Sequence, residues 1–380
     1  MTIALLGYGT VGRGVYDLAK KNNITVVGVF CREWQEVPDG LGTADGEALV
    51  NRPDIDTVVE VLGGLHPAFD LVTAALKAGK NVVTANKYLL CEHYETLVRL
   101  SIENHCALRS TGAAGGGIPW LVNLARASRL DRVQSLQGIM NGTTNYILSQ
   151  MSGFGISFSQ ALCEAQKLGY AEADSSDDID GLDIRRKLAI SANVAFGSCI
   201  GEKEIPVMGM RNVDEADILV AKTLHRICKL LAFAKENEDG SVSAVVEPAF
   251  LPYGVAEASV NGNYNVFSFT SELYGTESFV GQGAGRWPTA SNVVHDLLDI
   301  MGGVNAFYTD KLDDKKVNNG ELQHSYYVRC TARSAWLSEN MAQRLNAFSC
   351  ITKPISVEEM HREAEEMRMK DPSMFFASIF

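Results

Sequence analysis

The stretch Thr2-Ile3-Ala4-Leu5-Leu6-Gly7-Tyr8-Gly9-Thr10-Val11-Gly12 decides how the first third of this chain is read. An apolar run too short for a helix is followed by Gly-x-Gly-x-x-Gly and then by the helical pattern Gly12–Lys21. Alone, the glycine pattern is a weak signal; between a strand and a helix it predicts a dinucleotide cradle. The glycines permit a tight turn and close approach of backbone to pyrophosphate. The helix N-terminus adds N–H donors and a favourable dipole. Gly7, Gly9, Thr10, Val11 and Gly12 are therefore candidate cofactor contacts. The bland alternative is an ordinary strand-to-helix turn, which the complete strand, loop and helix order disfavours.

Working outward, Thr25–Phe30, Thr57–Leu62 and Asn81–Thr84 read as further strands and Pro67–Ala78 as a helix. Strands alternating with helices predict parallel βαβ units in a doubly wound, Rossmann-type α/β sheet. An NAD enzyme ordinarily carries an acid about 20 residues past the glycine loop, for the ribose 2′-hydroxyl. Arg32 stands there instead, with Glu33 beside it. A guanidinium suits a 2′-phosphate, so NADP is expected, with NAD as the alternative.

From about Asp131 the pattern changes. Val133–Met140 reads as a strand, while Asn145–Met151, Ser157–Leu168 and Leu182–Phe196 read as helices. Strand-like runs follow at Val242–Val246 and Val266–Leu273, then a helix at Thr289–Ile300. The expected division is a dinucleotide-binding domain over 1–130, completed by 288–310, and an α+β substrate and dimerisation domain over 131–287. A small unit over 325–380 completes it, read as Tyr326–Cys330 strand, Leu337–Phe348 helix, Cys350–Ile355 strand, Val357–Met369 helix and Met374–Phe380 strand.

Composition limits the partners. The net charge is −12 over 380 residues, 46% apolar and 21% charged. Nothing resembles the clustered basic face that binds nucleic acid, and anionic lipid would be repelled. Apolar stretches fall far short of the ~20 residues that span a bilayer. The start lacks a basic, cleavable leader, so a cytoplasmic enzyme of a small molecule is expected. The eight cysteines show no CxxC spacing and read as apolar filler.

The chemistry concentrates in Leu168–Lys187, which carries Glu172, Asp174, Asp177, Asp178, Asp180 and Asp183, then Arg185, Arg186 and Lys187. An acidic run is usually a solvated loop. Here it lies between apolar helices, and Asp183 and Lys187 are four apart on one helix face. As a surface pair they would contribute a few tenths of a kcal/mol. As a functional pair, a carboxylate holds a lysine that stabilises and protonates an alkoxide formed when hydride reaches a carbonyl.

Several motifs then converge. They are GYGTVG at 7–12, VEVLGG at 59–64, GKNVVTANK at 79–87, GGGIP at 115–119 and GIMNGTTNYIL at 138–148. LGYAEAD at 168–174 follows, with Asp178, Gly181-Leu182-Asp183 and Lys187, and GQGAGRWPTAS at 281–291 closes the series. In this order the chain resembles the homoserine dehydrogenase family over about residues 1–303. The resemblance implies NADP-linked reduction of L-aspartate 4-semialdehyde to L-homoserine, in the biosynthesis of threonine, methionine and isoleucine, by a homodimer. It implies that Lys187 is the general acid/base, that Asp183 positions substrate, and that Lys87 is a second lysine near the nicotinamide. Glu172, Asp178 and Tyr170 would form the pocket for the substrate's amino group, with Asn141, Gly142 and Thr143 as further contacts. Thr84 and the Gly283-Ala284-Gly285 turn would lie along the cofactor.

Three departures accompany the resemblance. The glutamate usual before GGGIP is Thr111, in a segment that in relatives wraps a monovalent cation at positions equivalent to Thr111, Ala114, Gly116 and Ile118. The proline usual after the acidic pair is Ser175. The tail resembles the start of a regulatory ACT domain, but Thr331-Ala332-Arg333-Ser334-Ala335-Trp336 replaces the expected Asp-x-x-Gly loop, and one strand is expected to be missing. A scaffold or dimer contact without threonine feedback is expected there. Two other readings compete with this one. A non-catalytic dinucleotide sensor derived from the family would lack one of the lysines, and both are present. A phosphorylating dehydrogenase would need a thiolate such as Cys106 with His105, adjacent residues that would point to opposite faces of a strand.

Overall fold

A computed structural model describes residues 1–32, 36–309 and 312–380. The chain forms two compact units. One comprises Met1–Val133, Ala189–Glu202 and Gly281–Asp314; the other comprises Gln134–Leu188, Lys203–Val280 and Lys315–Phe380.

The first unit begins with β1 (Thr2–Leu6), α1 (Thr10–Lys21), β2 (Thr25–Phe30), β3 (Gly42–Thr43), α2 (Gly46–Val50) and β4 (Thr57–Glu60). It continues with α3 (Ala68–Lys77), β5 (Asn81–Thr84), α4 (Lys87–Glu103), β6 (Leu108–Arg109) and α5 (Trp120–Ala127). The six strands form a parallel sheet in the order β3-β2-β1-β4-β5-β6. Both faces are covered, which explains why β1 is an unbroken apolar run. Ile3 and Leu5 face Val15, Ala19 and Val29; Ala4 and Leu6 face Val58, Val72, Leu76 and Leu97. Each fully buried Val, Leu or Ile among them is worth roughly 1.5–3 kcal/mol of transfer free energy. Because β1 pairs with β2 on one side and β4 on the other, the chain's winding reverses here. The loop after β1 therefore sits at a topological switch point, where open α/β sheets bind ligands.

The second unit starts with β7 (Val133–Ile139), α6 (Gly142–Phe154), α7 (Phe158–Lys167) and α8 (Ser176–Ile179). Next come α9 (Leu182–Phe196), whose residues from Ala189 onward belong to the first unit, α10 (Glu215–Thr223), β8 (Arg226–Glu236), β9 (Val242–Pro252), α11 (Ala256–Ser259), β10 (Tyr264–Ser271) and β11 (Gly275–Gln282). Strands β8 and β9 make a long antiparallel hairpin, from Arg226 opposite Pro252 to Glu236 opposite Val242. Its turn is held by Asp239, which accepts from Ser241, and by Gly240 at φ +83°. The chain then returns to the first unit as α12 (Arg286–Met301). There Ala290, Val293 and Leu297 join the core around Ile3 and Leu5.

The tail runs β12 (Gln323–Arg329), α13 (Ala335–Asn340), β13 (Met341–Arg344), β14 (Ser349–Thr352), β15 (Ile355–Ser356), α14 (Val357–Lys370) and β16 (Phe375–Ile379). The helix expected over Leu337–Phe348 stops at Asn340, and the strand expected to be missing is β13. The Asn346 side chain accepts from the N–H groups of Phe348 and Ser349 and so builds a turn, which folds β13 back on β14. Apart from the two-residue β15, which pairs with β12 off the main path, the tail thus has a βαββαβ order, with β16, β12, β14 and β13 adjacent in that sequence. It also continues the large sheet, because β16 pairs parallel to β9. Arg329 and Tyr327 both bind Asp217 of α10, at 2.8 Å each.

Candidate functional site

The glycine loop in the first unit has the form of an anion cradle. Gly7 sits at φ +109°, and a Cβ there would lie 2.8 Å from the Val61 carbonyl oxygen. A Cβ on Gly12 would lie 2.1 Å from the Gly7 carbonyl oxygen. Around Gly9, by contrast, a Cβ would meet nothing within 4 Å. Two glycines let the chain turn, and the third leaves its outer side open. Gly9 is also the N-cap of α1 and gives no side-chain cap, so Thr10 and Val11 open a helix whose first N–H groups have no capping side chain. These residues fit a pyrophosphate. Arg32 is exposed just beyond β2; Glu33 lies outside the described residues.

At the end of β4, beside the end of β5, stands Glu60, a carboxylate to which the motifs assign no role. It accepts from Thr84 Oγ1 at 2.6 Å, the Leu62 N–H at 2.8 Å and Asn86 Nδ2 at 3.2 Å. Burial raises its pKa. The acid at the end of an otherwise apolar strand was the signal that could have found it. Thr84 is buried, with its hydroxyl held between Glu60 and the Asn86 N–H. Asn86 caps α4 by accepting from Leu89 N–H at 3.1 Å, which fixes Lys87 as the first residue of that helix. A cation at a helix N-terminus opposes the dipole, so Lys87 stands where stability alone would not put it.

In the second unit the acidic block and the Asn-Gly-Thr segment come together. Asn141 caps α6, accepting from Thr144 N–H at 2.9 Å. Its Nδ2 donates to Asp178 Oδ1 at 2.7 Å and to Asp183 Oδ2 at 2.9 Å. Lys187 lies 2.7 Å from Asp183 Oδ2 and donates to the Met140 carbonyl at 2.7 Å. The Lys187 and Asp183 side chains are only 9% and 5% exposed, so this is not a solvated surface pair. The Thr143 hydroxyl is 3.0 Å from Asp178 Oδ2 and 2.6 Å from the Tyr170 carbonyl oxygen. Both are acceptors, and its single proton serves one at a time. Burial, then the charge of Asp183, raises the Asp178 pKa against the opposing pull of Asn141, Thr143 and Lys187.

Other expected residues stand differently. Glu172 is exposed, and its backbone carbonyl accepts from Gln166. Tyr170 is 38% exposed, with its ring edge-on to Tyr146. Gly142 has a packing reason: a Cβ would lie 2.7 Å from the Asn263 carbonyl oxygen. Cys106 contacts the carbonyls of Leu76 and Ser101, and burial pushes its thiol up to about 11, which suits filler rather than a nucleophile.

The expected cation positions fit such an ion poorly. Thr111 directs both its N–H and its hydroxyl to Asp296, at 2.8 and 2.7 Å. The Gly116 and Ile118 carbonyls both accept from Asn292 Nδ2, at 2.6 and 3.0 Å. Ala114 is buried beside them. Among the described residues no group of three or more His, Cys, Asp or Glu is arranged to hold a metal, and no helix is long and apolar enough to cross a membrane.

Comparison with known proteins bears on this arrangement. A family model described as homoserine dehydrogenase matches residues 119–298, and one described as homoserine dehydrogenase, NAD binding domain, matches 7–110. Homoserine dehydrogenase of Synechocystis sp. is 39% identical over 79% of this chain and 73% of that protein. The Pseudomonas aeruginosa enzyme is 33% identical over 96% of this chain and 88% of its own length. The crystal structure of a homoserine dehydrogenase from Thiobacillus denitrificans superposes with a TM-score of 0.88 at 29% identity, covering 100% of this chain and 98% of that one. With the glycine cradle, the capped Lys87 helix and the Asp183–Lys187 pair in place, the chain belongs to the homoserine dehydrogenase family.

Proposed function

We propose that this homoserine dehydrogenase, an NAD(P)-dependent oxidoreductase acting on a CH–OH group, runs with NADP and uses Lys187 as its proton donor. The bound reduced dinucleotide supplies the hydride that turns L-aspartate 4-semialdehyde into L-homoserine. The protein does the rest. Gly7–Gly12 and the N-terminus of α1 hold the pyrophosphate, Arg32 reads the 2′-phosphate, and the Gly283–Gly285 turn and Thr84 backbone flank the cofactor. Asp178 and Glu172 hold the substrate's ammonium, with Tyr170, Asn141, Gly142 and Thr143 shaping that pocket. Lys187 gives a proton to the oxygen as negative charge develops on it, and Lys87 adds a second positive charge.

The observation that carries this reading is the buried set Asn141, Asp178, Asp183 and Lys187. One amide ties two carboxylates, and the lysine is pinned by Asp183 and the Met140 carbonyl. A buried ion pair of this kind is a poor device for stability, since desolvation offsets most of its attraction. Positioning an acid/base explains it better. We further propose a cytoplasmic homodimer serving threonine, methionine and isoleucine synthesis, with an ACT-like tail that extends the sheet as scaffold.

The test is homoserine-dependent reduction followed at 340 nm. Faster turnover with NADP than with NAD is expected, and Arg32→Ala should cut that preference about tenfold by removing a charge-assisted phosphate contact. An enzyme preferring NAD by tenfold would remove Arg32 from its role and leave the dehydrogenase reading intact.

A further inference from the structure

The Gly115–Ile118 turn aims two carbonyl oxygens at one point. Gly115 and Gly116 take φ of +95° and +56°. In that conformation Ile118 N–H closes the turn on the Gly115 carbonyl at 2.9 Å, and Gly117 N–H donates outward to the Gln282 carbonyl at 3.1 Å. The carbonyls of Gly116 and Ile118 converge, the latter while also accepting from the Trp120 N–H at 2.7 Å. Asn292, on α12 and 3% exposed, places its Nδ2 between them, at 2.6 and 3.0 Å. Two converging carbonyls suit either a hard cation or a group with two protons to give. The amide must face them with its NH2, because an oxygen there would repel both.

The turn also sets a neighbouring segment. A Cβ on Gly116 would lie 2.5 Å from the Gly283 carbonyl oxygen, and one on Gly117 would lie 2.7 Å from Pro288 Cβ. Any shift of Gly115–Ile118 is therefore felt by Gly283–Gly285 and the start of α12. We infer that the Asn292 amide is a built-in substitute for a monovalent cation, a positioning residue that makes the fold and activity of this enzyme independent of sodium and potassium. Thr111 agrees with this, because its donors are already committed to Asp296 and it adds no carboxylate.

The test compares NaCl, KCl and choline chloride, each at about 100 mM, reading homoserine oxidation and the melting temperature, since a bound cation stabilises the state that holds it. The natural enzyme should give the same kcat, KM and Tm in all three. Asn292→Asp puts a carboxylate against two carbonyl oxygens. It should be weakly active in choline and recover at least about threefold in sodium or potassium, with a matching rise in Tm. A merely structural asparagine would show no such rescue. Activation or stabilisation of the natural enzyme by sodium or potassium would overturn the inference, as would a folded Asn292→Asp variant indifferent to the cation. If Asn292→Asp does not fold, Asn292→Ala, which removes the amide from both carbonyls and leaves Ile118 only its Trp120 N–H, is read by the same criteria. If neither folds, the natural enzyme's response decides alone.

Discussion

The glycine loop and the acid–lysine cluster are built on opposite plans. The loop is made of backbone: six consecutive residues, 7–12, run from the end of β1 into the first turn of α1, and two of its glycines, Gly7 and Gly12, are fixed by carbonyl oxygens of Val61 and Gly7. The cluster is made of side chains from distant segments, with Asn141 before α6, Asp178 on α8, and Asp183 and Lys187 on α9, anchored by the Met140 carbonyl. A backbone site depends on which residues can adopt a conformation, so it survives much change in side chains. A side-chain site depends on each hydrogen bond being made, and one loss leaves a buried charge uncompensated. The first should fail through geometry and the second through chemistry.

The largest effect is expected at Lys187. Lys187→Ala should lower kcat by a factor on the order of 10² or more, as loss of a positioned acid does. It also strips Asp183 of its cation, and breaking such a buried pair costs roughly 3–5 kcal/mol. The assay must therefore be run with a melting curve, and Lys187→Arg, which keeps charge but cannot give up a proton near neutral pH, separates the two effects. A loss below tenfold in folded protein would end the assignment.

The glycines sharpen the backbone side of the contrast. Gly12→Ala forces a methyl onto the Gly7 carbonyl and should lower Tm by the equivalent of about 1–3 kcal/mol while abolishing cofactor binding. Gly9→Ala points into open space. It should leave Tm unchanged and raise the dinucleotide KM about tenfold, because the methyl would stand where the pyrophosphate is proposed to approach. Equal Tm losses in the two variants would dissolve the distinction.

The smallest effect is a pH dependence. In the proposed role Asp178 would hold an ammonium only when ionised, and its pKa is raised by burial and by Asp183. A raised carboxylate pKa means protonation sets in at a higher pH than for an exposed aspartate. The substrate KM should hence climb as pH falls through that value, with kcat less affected. Asp178→Asn should raise KM at neutral pH and flatten the acid limb. An unchanged limb in that variant would assign it to another group.

How far the sequence could be read follows the same division. The strand, loop and helix of 2–21 are continuous in the chain, and the helix predicted at Leu182–Phe196 is α9 to the residue. The i, i+4 relation of Asp183 and Lys187 is also local. Glu60 was passed over because its partners, Thr84 and Asn86, are more than 20 residues away. The tail misled for a comparable reason. Leu337–Phe348 has helical composition, but Asn346 turns the chain and β14 offers β13 a partner, so pairing overrides propensity.

By itself, then, the sequence determined whatever depends on neighbours in the chain: the parallel βαβ order, the glycine turn, the helical spacing of acid and lysine, and the motifs that mark the family. The tertiary structure decided whatever depends on burial and on partners far apart in number. It turned Asp183–Lys187 into an enclosed pair, made Asn141 the link between two carboxylates, and set the Asn292 amide on the carbonyls of Gly116 and Ile118. The physical reason is that backbone conformation is set by each residue and its neighbours, whereas the energy of a polar group depends on what replaces its lost water.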